Sequence, residues 1–362
     1  LPSINTGGSA PPADTTKANP ADENTQEQQA STDAANYKVV SVFFSTDRNL
    51  SGKKVAAEMF GVKRSDMRYG MCEVSIPLHH EIGELESPSI LRFELRENPE
   101  KHVVLLSAKI EDKDLFFNHL SAAIQESGKK SALLFVHGYN VSFETAARRT
   151  AQISADLQFD GAAVFYSWPS QGNLAGYTVD ESNIEWTQAN LKSFLDDFFT
   201  RSPAENIYLI AHSMGNRALT RAVADLIREK PEFKPRLKEI ILAAPDIDAE
   251  VFRRDIAPAL AATGAPVTLY ASSKDEALLA SKKIHAYLRA GDSGLGLVIT
   301  KGVETIDATE VDTSFVGHSY FADNRAAIAD IYYLIRDGLP ADQRFGLSSV
   351  NIASGRYWTF KN

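Results

Sequence analysis

Residues 206–217 read Asn206-Ile-Tyr-Leu-Ile-Ala-His-Ser-Met-Gly-Asn-Arg217. The run 206–211 is a short buried strand, 214–228 carries the spacing of a helix, and Ser213 falls on the turn between them. A turn this sharp forces its central residue into a strained backbone and lifts its side chain above the sheet, which is what a nucleophilic serine requires. Strand and helix backbones approach closely there, so the flanking positions must be small. Ala211 and Gly215 fill them, a small-x-Ser-x-Gly pattern with alanine where glycine is more usual. A short Gly-Ser turn can also be purely structural, so the rest of the chain must supply a base, an acid and an oxyanion hole.

Outward from this turn, strands and helices alternate. Strands are expected at 133–136, 162–167, 206–211, 238–244, 267–271 and 303–308. Helices are expected at 143–157, 184–199, 214–228, 249–261, 276–289 and 322–335. Short Val/Ile/Leu runs separated by amphipathic helices predict an α/β fold with a mostly parallel central sheet, covered by helices on both faces. The stretch 37–128 reads as a β-rich N-terminal extension leading into the sheet, with strands at 38–44, 68–76, 90–95 and 103–110 and a helix at 112–127. The main α/β core then spans 129–362, and its last residues, 337–362, read as a packing strap. Residues 1–36, rich in Ala, Pro, Thr, Asn, Asp and Gln, read as a disordered tail.

Composition excludes several classes of function. The chain has 362 residues, 44% hydrophobic and 23% charged, enough for one large core. A net charge of −9 without a Lys/Arg cluster argues against a nucleic-acid partner. No apolar run approaches the roughly 20 residues that span a bilayer, so no transmembrane segment is expected. Cys72 is the single cysteine and reads as a small buried hydrophobe. His79 and His80 form a pair without a third ligand, and neither a metal nor an organic cofactor is called for. The polar tail is compatible with a processed export signal followed by an envelope linker, and a periplasmic location is favoured over a cytoplasmic one.

In an α/β sheet the reacting groups belong at the carboxyl ends of strands. Ser213 is the candidate nucleophile. His318, in Gly317-His-Ser-Tyr320 after the last predicted strand of the core, is the candidate base. Asp275 follows the strand 267–271 and is the candidate acid, which would fix the imidazole tautomer. Asp246 and Asp248 follow the preceding strand and are alternatives, though either could simply cap the helix at 249–261. Two backbone donors for an oxyanion are expected from Met214, after the nucleophile, and from Tyr139 in His137-Gly-Tyr-Asn140. In that loop Gly138 is read as permitting an unusual backbone. Trp168 and Tyr177, after the strand 162–167, read either as a substrate wall or lid or as part of a rigid loop.

The runs Phe135-Val-His-Gly-Tyr-Asn140, Tyr166-Ser-Trp-Pro-Ser170, Ala211-His-Ser-Met-Gly-Asn-Arg217, Ala244-Pro-Asp-Ile-Asp248 and Gly317-His-Ser-Tyr320 resemble a bacterial α/β-hydrolase family labelled as a domain of unknown function, DUF900, of the esterase/lipase superfamily. Tyr69-Gly-Met-Cys-Glu-Val-Ser-Ile-Pro77 resembles that family's N-terminal extension. The resemblance covers roughly residues 38–360. It implies the α/β-hydrolase fold and a triad of Ser213, an aspartate and His318, acting on a small-molecule or lipid ester. The same groups could instead serve a thioesterase, an amidase or an acyltransferase, or the scaffold could be a non-catalytic binding module.

Overall fold

The computed structural model describes residues 36–89, 94, 96–273, 278, 281, 287–311 and 324–361. Strands β4 (Ser131–Val136) and β6 (Asn206–His212) lie side by side, parallel, in register from Ser131↔Asn206 to Val136↔Ala211. Because successive side chains alternate across a strand, Leu134, Val136, Leu209 and Ala211 enter one core while Leu133, Phe135 and Ile210 enter another. Strands buried on both faces need helices on both sides. Helices α1 (Lys113–Glu126), α3 (Tyr177–Arg201), α4 (Gly215–Glu229) and α5 (residues 249–261, with a π turn at Phe252–Ile256) supply the first core. Helices α2 (Phe143–Asp156) and α6 (Asn324–Asp337) supply the second.

Strands β5 (Gly161–Ser167), β1 (Tyr37–Leu50), β2 (Phe60–Pro77) and β3 (Val104–Glu111) extend the sheet beyond β4. Strands β7 (Leu237–Ala243), β8 (Val267–Ala271), β9 (Glu304–Asp307), β11 (Gly355–Phe360) and β10 (Leu347–Ile352) extend it beyond β6. The order is β10-β11-β9-β8-β7-β6-β4-β5-β1-β2-β3. From β1 to β11 neighbours are parallel; β2 runs antiparallel to β1, β3 to β2 and β10 to β11. After β4 the chain turns to β5 on one side, and after β6 to β7 on the other. Their carboxyl ends therefore form a switch point, where the departing segments diverge and leave a crevice.

Four expectations need correction, the first being strand β2, which begins at Phe60 where a strand was expected from Arg68. Strand β1 runs on to Leu50 instead of ending at Phe44. Its continuation, Ser45-Thr-Asp-Arg48, is polar yet fully buried, so apolar patterning could not show it. Helix α3 begins at Tyr177, seven residues before the expected start at Ile184. The C-terminal tail is a hairpin, β10–β11, that joins the sheet through Trp358↔Ile306 and Thr359↔Asp307. The tail expected at 1–36 falls outside the described residues save Asn36, and so do most of the strand expected at 90–95 and of the helix expected at 276–289. Cys72 is fully buried, and burial pushes its thiol up. No helix among the described residues is long and apolar enough to cross a membrane.

Candidate active site

Ser213 follows β6 at the switch point with φ of 47°, in the left-handed region that non-glycine residues rarely adopt. The strain is held by its neighbours. Ser213 N–H donates to Ala243 O (2.9 Å), while Asp246 N–H (3.1 Å) and Asn216 Nδ2 (2.9 Å) donate to Ser213 O. Asn216 Nδ2 also reaches Ala243 O at 3.2 Å, tying the first turn of α4 to β7. Ser213 is fully buried, and its Oγ has no hydrogen-bond partner among the described residues.

The glycines around the turn are required by close approach. A Cβ on Gly215 would lie 2.4 Å from His137 O, and one on Gly138 would lie 2.7 Å from His212 Nδ1 and 3.0 Å from Ser213 Cβ. The left-handed residue of the loop after β4 is Asn140 (φ 59°), so the unusual backbone expected at Gly138 is found two residues later. Met214 is the N-cap of α4, and its N–H belongs to the first-turn donors that find no acceptor within a helix. Tyr139 is buried, with its ring edge-on to Tyr177 at 5.2 Å.

A directional chain of hydrogen bonds backs this loop. Arg48 Nε donates to Ser167 Oγ (2.9 Å), Ser167 Oγ meets His137 Nε2 (3.1 Å), and His137 Nδ1 meets Gly138 O (2.9 Å). A carbonyl can only accept, so Nδ1 carries the proton and Nε2 accepts. Burial, reinforced by Arg48, holds His137 well below the usual imidazole range and keeps it neutral. Both ring nitrogens are engaged, which makes His137 a strut. Trp168 stacks on its ring (5.2 Å) and donates Nε1–H to His137 O at 2.8 Å. Trp168 is fully buried. Asp180, lifted by burial, accepts from Ser170 Oγ (2.6 Å) and Gln171 N–H (2.8 Å).

The two alternative acids have other employment. Asp248 Oδ1 accepts Glu250 N–H (2.9 Å) and Val251 N–H (3.0 Å), capping α5. Asp246 is fully buried. Its Oδ2 accepts from Tyr177 OH (2.6 Å) and Arg217 Nη2 (3.1 Å), and its Oδ1 accepts from Ser281 Oγ (2.7 Å), with Arg289 Nε at 3.3 Å. Three donors thus hydrogen-bond to this carboxylate, and Arg289 adds an ion-pair contact without a hydrogen bond. Burial opposes the charge of Arg217, but Asp246, Tyr177 and Glu181 outweigh it and hold the guanidinium above its ordinary range. Asp275 and His318 lie outside the described residues. Asp292, buried at the carboxyl end of the sheet where Gly291 O accepts Ser272 N–H, was missed in the sequence; only its place after an expected helix could have suggested it. Among the described residues no group of three or more His, Cys, Asp or Glu could hold a metal ion.

A family model described as an alpha/beta hydrolase of unknown function (DUF900) matches residues 112–337. The uncharacterized protein alr1448 of Nostoc sp. is 26% identical over 147 residues, which is 32% of this chain and 38% of that protein. The chain thus spans well under two thirds of this curated relative. Among solved structures, a protein of Lactobacillus plantarum WCFS1 described as a cell surface hydrolase shares 10% identity at a TM-score of 0.36, over 59% of this chain and 94% of that one. Lipase B of Aspergillus fumigatus shares 13% at a TM-score of 0.31, over 51% of this chain and 45% of that one.

Proposed function

Starting from the fact that the chain belongs to the α/β-hydrolase family of unknown function DUF900, we propose that it is a serine hydrolase that cleaves carboxylic esters through an acyl-enzyme on Ser213. The observation that carries this reading is the state of Ser213. It sits in a left-handed backbone at the switch point, with a buried Oγ that no described residue engages. A structural serine would spend its hydroxyl on a neighbour. Among the described residues no neighbour takes it, and the strained turn that carries it costs stability of a kind that clusters at functional sites.

In this mechanism His318 takes the proton from Ser213 Oγ as the oxygen attacks the ester carbonyl. The N–H groups of Met214 and Tyr139 receive the developing oxyanion. Collapse of the tetrahedral intermediate expels the alcohol, which takes the proton from His318. Water, activated by the same imidazole, then releases the acid and restores Ser213. Asp275 orients His318. Asp248 is committed to a helix cap and Asp246 to Tyr177, Arg217 and Ser281, which leaves Asp275 and the buried Asp292 as the acids at the carboxyl ends of the strands.

The test is incubation of the folded protein with a fluorophosphonate probe, beside Ser213→Ala, with the adduct located by mass spectrometry. An adduct on Ser213, lost in the variant and strongly reduced in His318→Ala, is the expected result. A folded wild-type protein that takes no label would end the serine-hydrolase reading.

A further inference from the structure

Next to the elbow lies a pocket of about 170 Å³ between α3, α4 and the start of α5. Three guanidinium groups line it, those of Arg217, Arg221 and Arg289, against an apolar wall that includes Ile184 and Ile247. Two carboxylates also line it, but Asp248 is spent on capping α5 and Glu185 is exposed on α3. Arg217 is committed to Asp246, Tyr177 and Glu181. Arg289 is not. It is only 5% exposed, its Nε stands 3.3 Å from Asp246 Oδ1, and neither Nε nor Nη2 makes a hydrogen bond among the described residues.

A buried guanidinium with unused donors is costly unless something accepts from it. Asp246 does so only in part, since its single charge is shared with Arg217 and Arg289 Nε stands 3.3 Å away without making a hydrogen bond. With Arg217 committed elsewhere, Arg221 and Arg289 leave the lining of the pocket positively charged, and the group whose geometry matches a guanidinium fork is an oxyanion. The pocket is also close to the proposed chemistry. Arg217 stands one helical turn after Ser213, and Asp246, which both arginines touch, donates its N–H to Ser213 O.

We propose that this pocket receives a carboxylate or phosphate group carried by the substrate, so that the preferred substrates of Ser213 are anionic esters. The inference rests on the serine-hydrolase reading for its substrate, and on the pocket alone for its anion.

The experiment compares the 4-nitrophenyl hemiester of succinate with uncharged 4-nitrophenyl butyrate on the full chain, in wild type, Arg289→Gln and Arg221→Gln. The expected result is at least a tenfold preference for the hemiester, expressed in KM. It should be lost in both variants. Succinate and inorganic phosphate, titrated as competitors, show which oxyanion the pocket favours. Equal rates for the two esters in wild type, or a preference that survives in both variants, overturns the proposal. Arg221 is exposed on α4, so its variant decides the matter even if Arg289→Gln does not fold. If Ser213 takes no label and neither ester is cleaved, the serine-hydrolase reading has failed by itself. Calorimetry with phosphate then decides the pocket: saturable binding lost in Arg221→Gln upholds an anion site, and no binding overturns it.

Discussion

At the residue scale, the site depends on atoms that are missing as much as on those present. Ser213 adopts a backbone that costs a non-glycine residue roughly 1–2 kcal/mol, and Asn216 and Asp246 hold it there through its carbonyl. Gly138 leaves room for this arrangement, because any side chain would drive into His212 and Ser213 Cβ. Gly138→Ala is therefore expected to cost about 1–3 kcal/mol by overpacking and to slow labelling of Ser213 at least tenfold. Urea denaturation and labelling kinetics check both effects, and a variant labelled at the wild-type rate would show that the close approach is dispensable. The motif around Ser213 was legible from spacing alone. The function of Gly138 was only half legible, since sequence marks a glycine but does not distinguish a left-handed backbone from a steric gap.

At the scale of elements, the turn after β2 is fastened to α2 by a half-buried histidine. His80 Nδ1 meets Glu86 Oε1 at 2.9 Å and Nε2 meets Asp156 Oδ1 at 2.8 Å. Burial pulls its pKa down, but the two carboxylates outweigh burial and raise it to about 9. A folded-state pKa above the unfolded value of about 6.5 means that the charged histidine stabilises the fold fully below pH 6.5, and that this contribution is lost as pH rises through 9. For a gap of this size linkage gives a contribution on the order of 3 kcal/mol. His80→Gln should lower the urea midpoint strongly at pH 6 and little at pH 10. An equal loss at both would mean that the charge contributes nothing. In the sequence the pair His79–His80 suggested only a weak metal signal, because the partners Glu86 and Asp156 are brought together by the fold.

For the whole molecule, the N-terminal strands do more than widen the sheet. Arg48 of β1 is 1% exposed and donates to Ser167 Oγ, Gly61 O (3.1 Å), Ser170 O (3.0 Å) and Val141 O (2.7 Å). It thereby joins β1 and β2 to the loops after β4 and β5. Burial lowers it to about 10, against the pull of Asp47 and Asp180, so it remains charged at neutral pH. Arg48→Met would strand several buried acceptors, each worth about 1–3 kcal/mol. We expect a loss of roughly 3 kcal/mol or more and slower labelling of Ser213, as the loop carrying Tyr139 loses its anchor at Val141. Chemical denaturation alongside labelling tests this. If neither changed, the N-terminal strands would have no part in shaping the site.

The alternation of apolar strands and amphipathic helices determined the α/β class. The order of small residues around Ser213 marked the elbow, because both signals are local and follow from the periods of strand and helix. Only the tertiary structure decided which polar residues are buried. Ser45-Thr-Asp-Arg48 reads as a loop until Ser167, Tyr166 and Val141 are brought to it. Asp246 and Asp248 are indistinguishable as candidate acids until one is surrounded by Tyr177, Ser281 and two arginines and the other is seen to cap a helix. The reason is energetic: a buried polar group is tolerated only when distant partners satisfy it, and those partners are chosen by topology rather than by spacing along the chain.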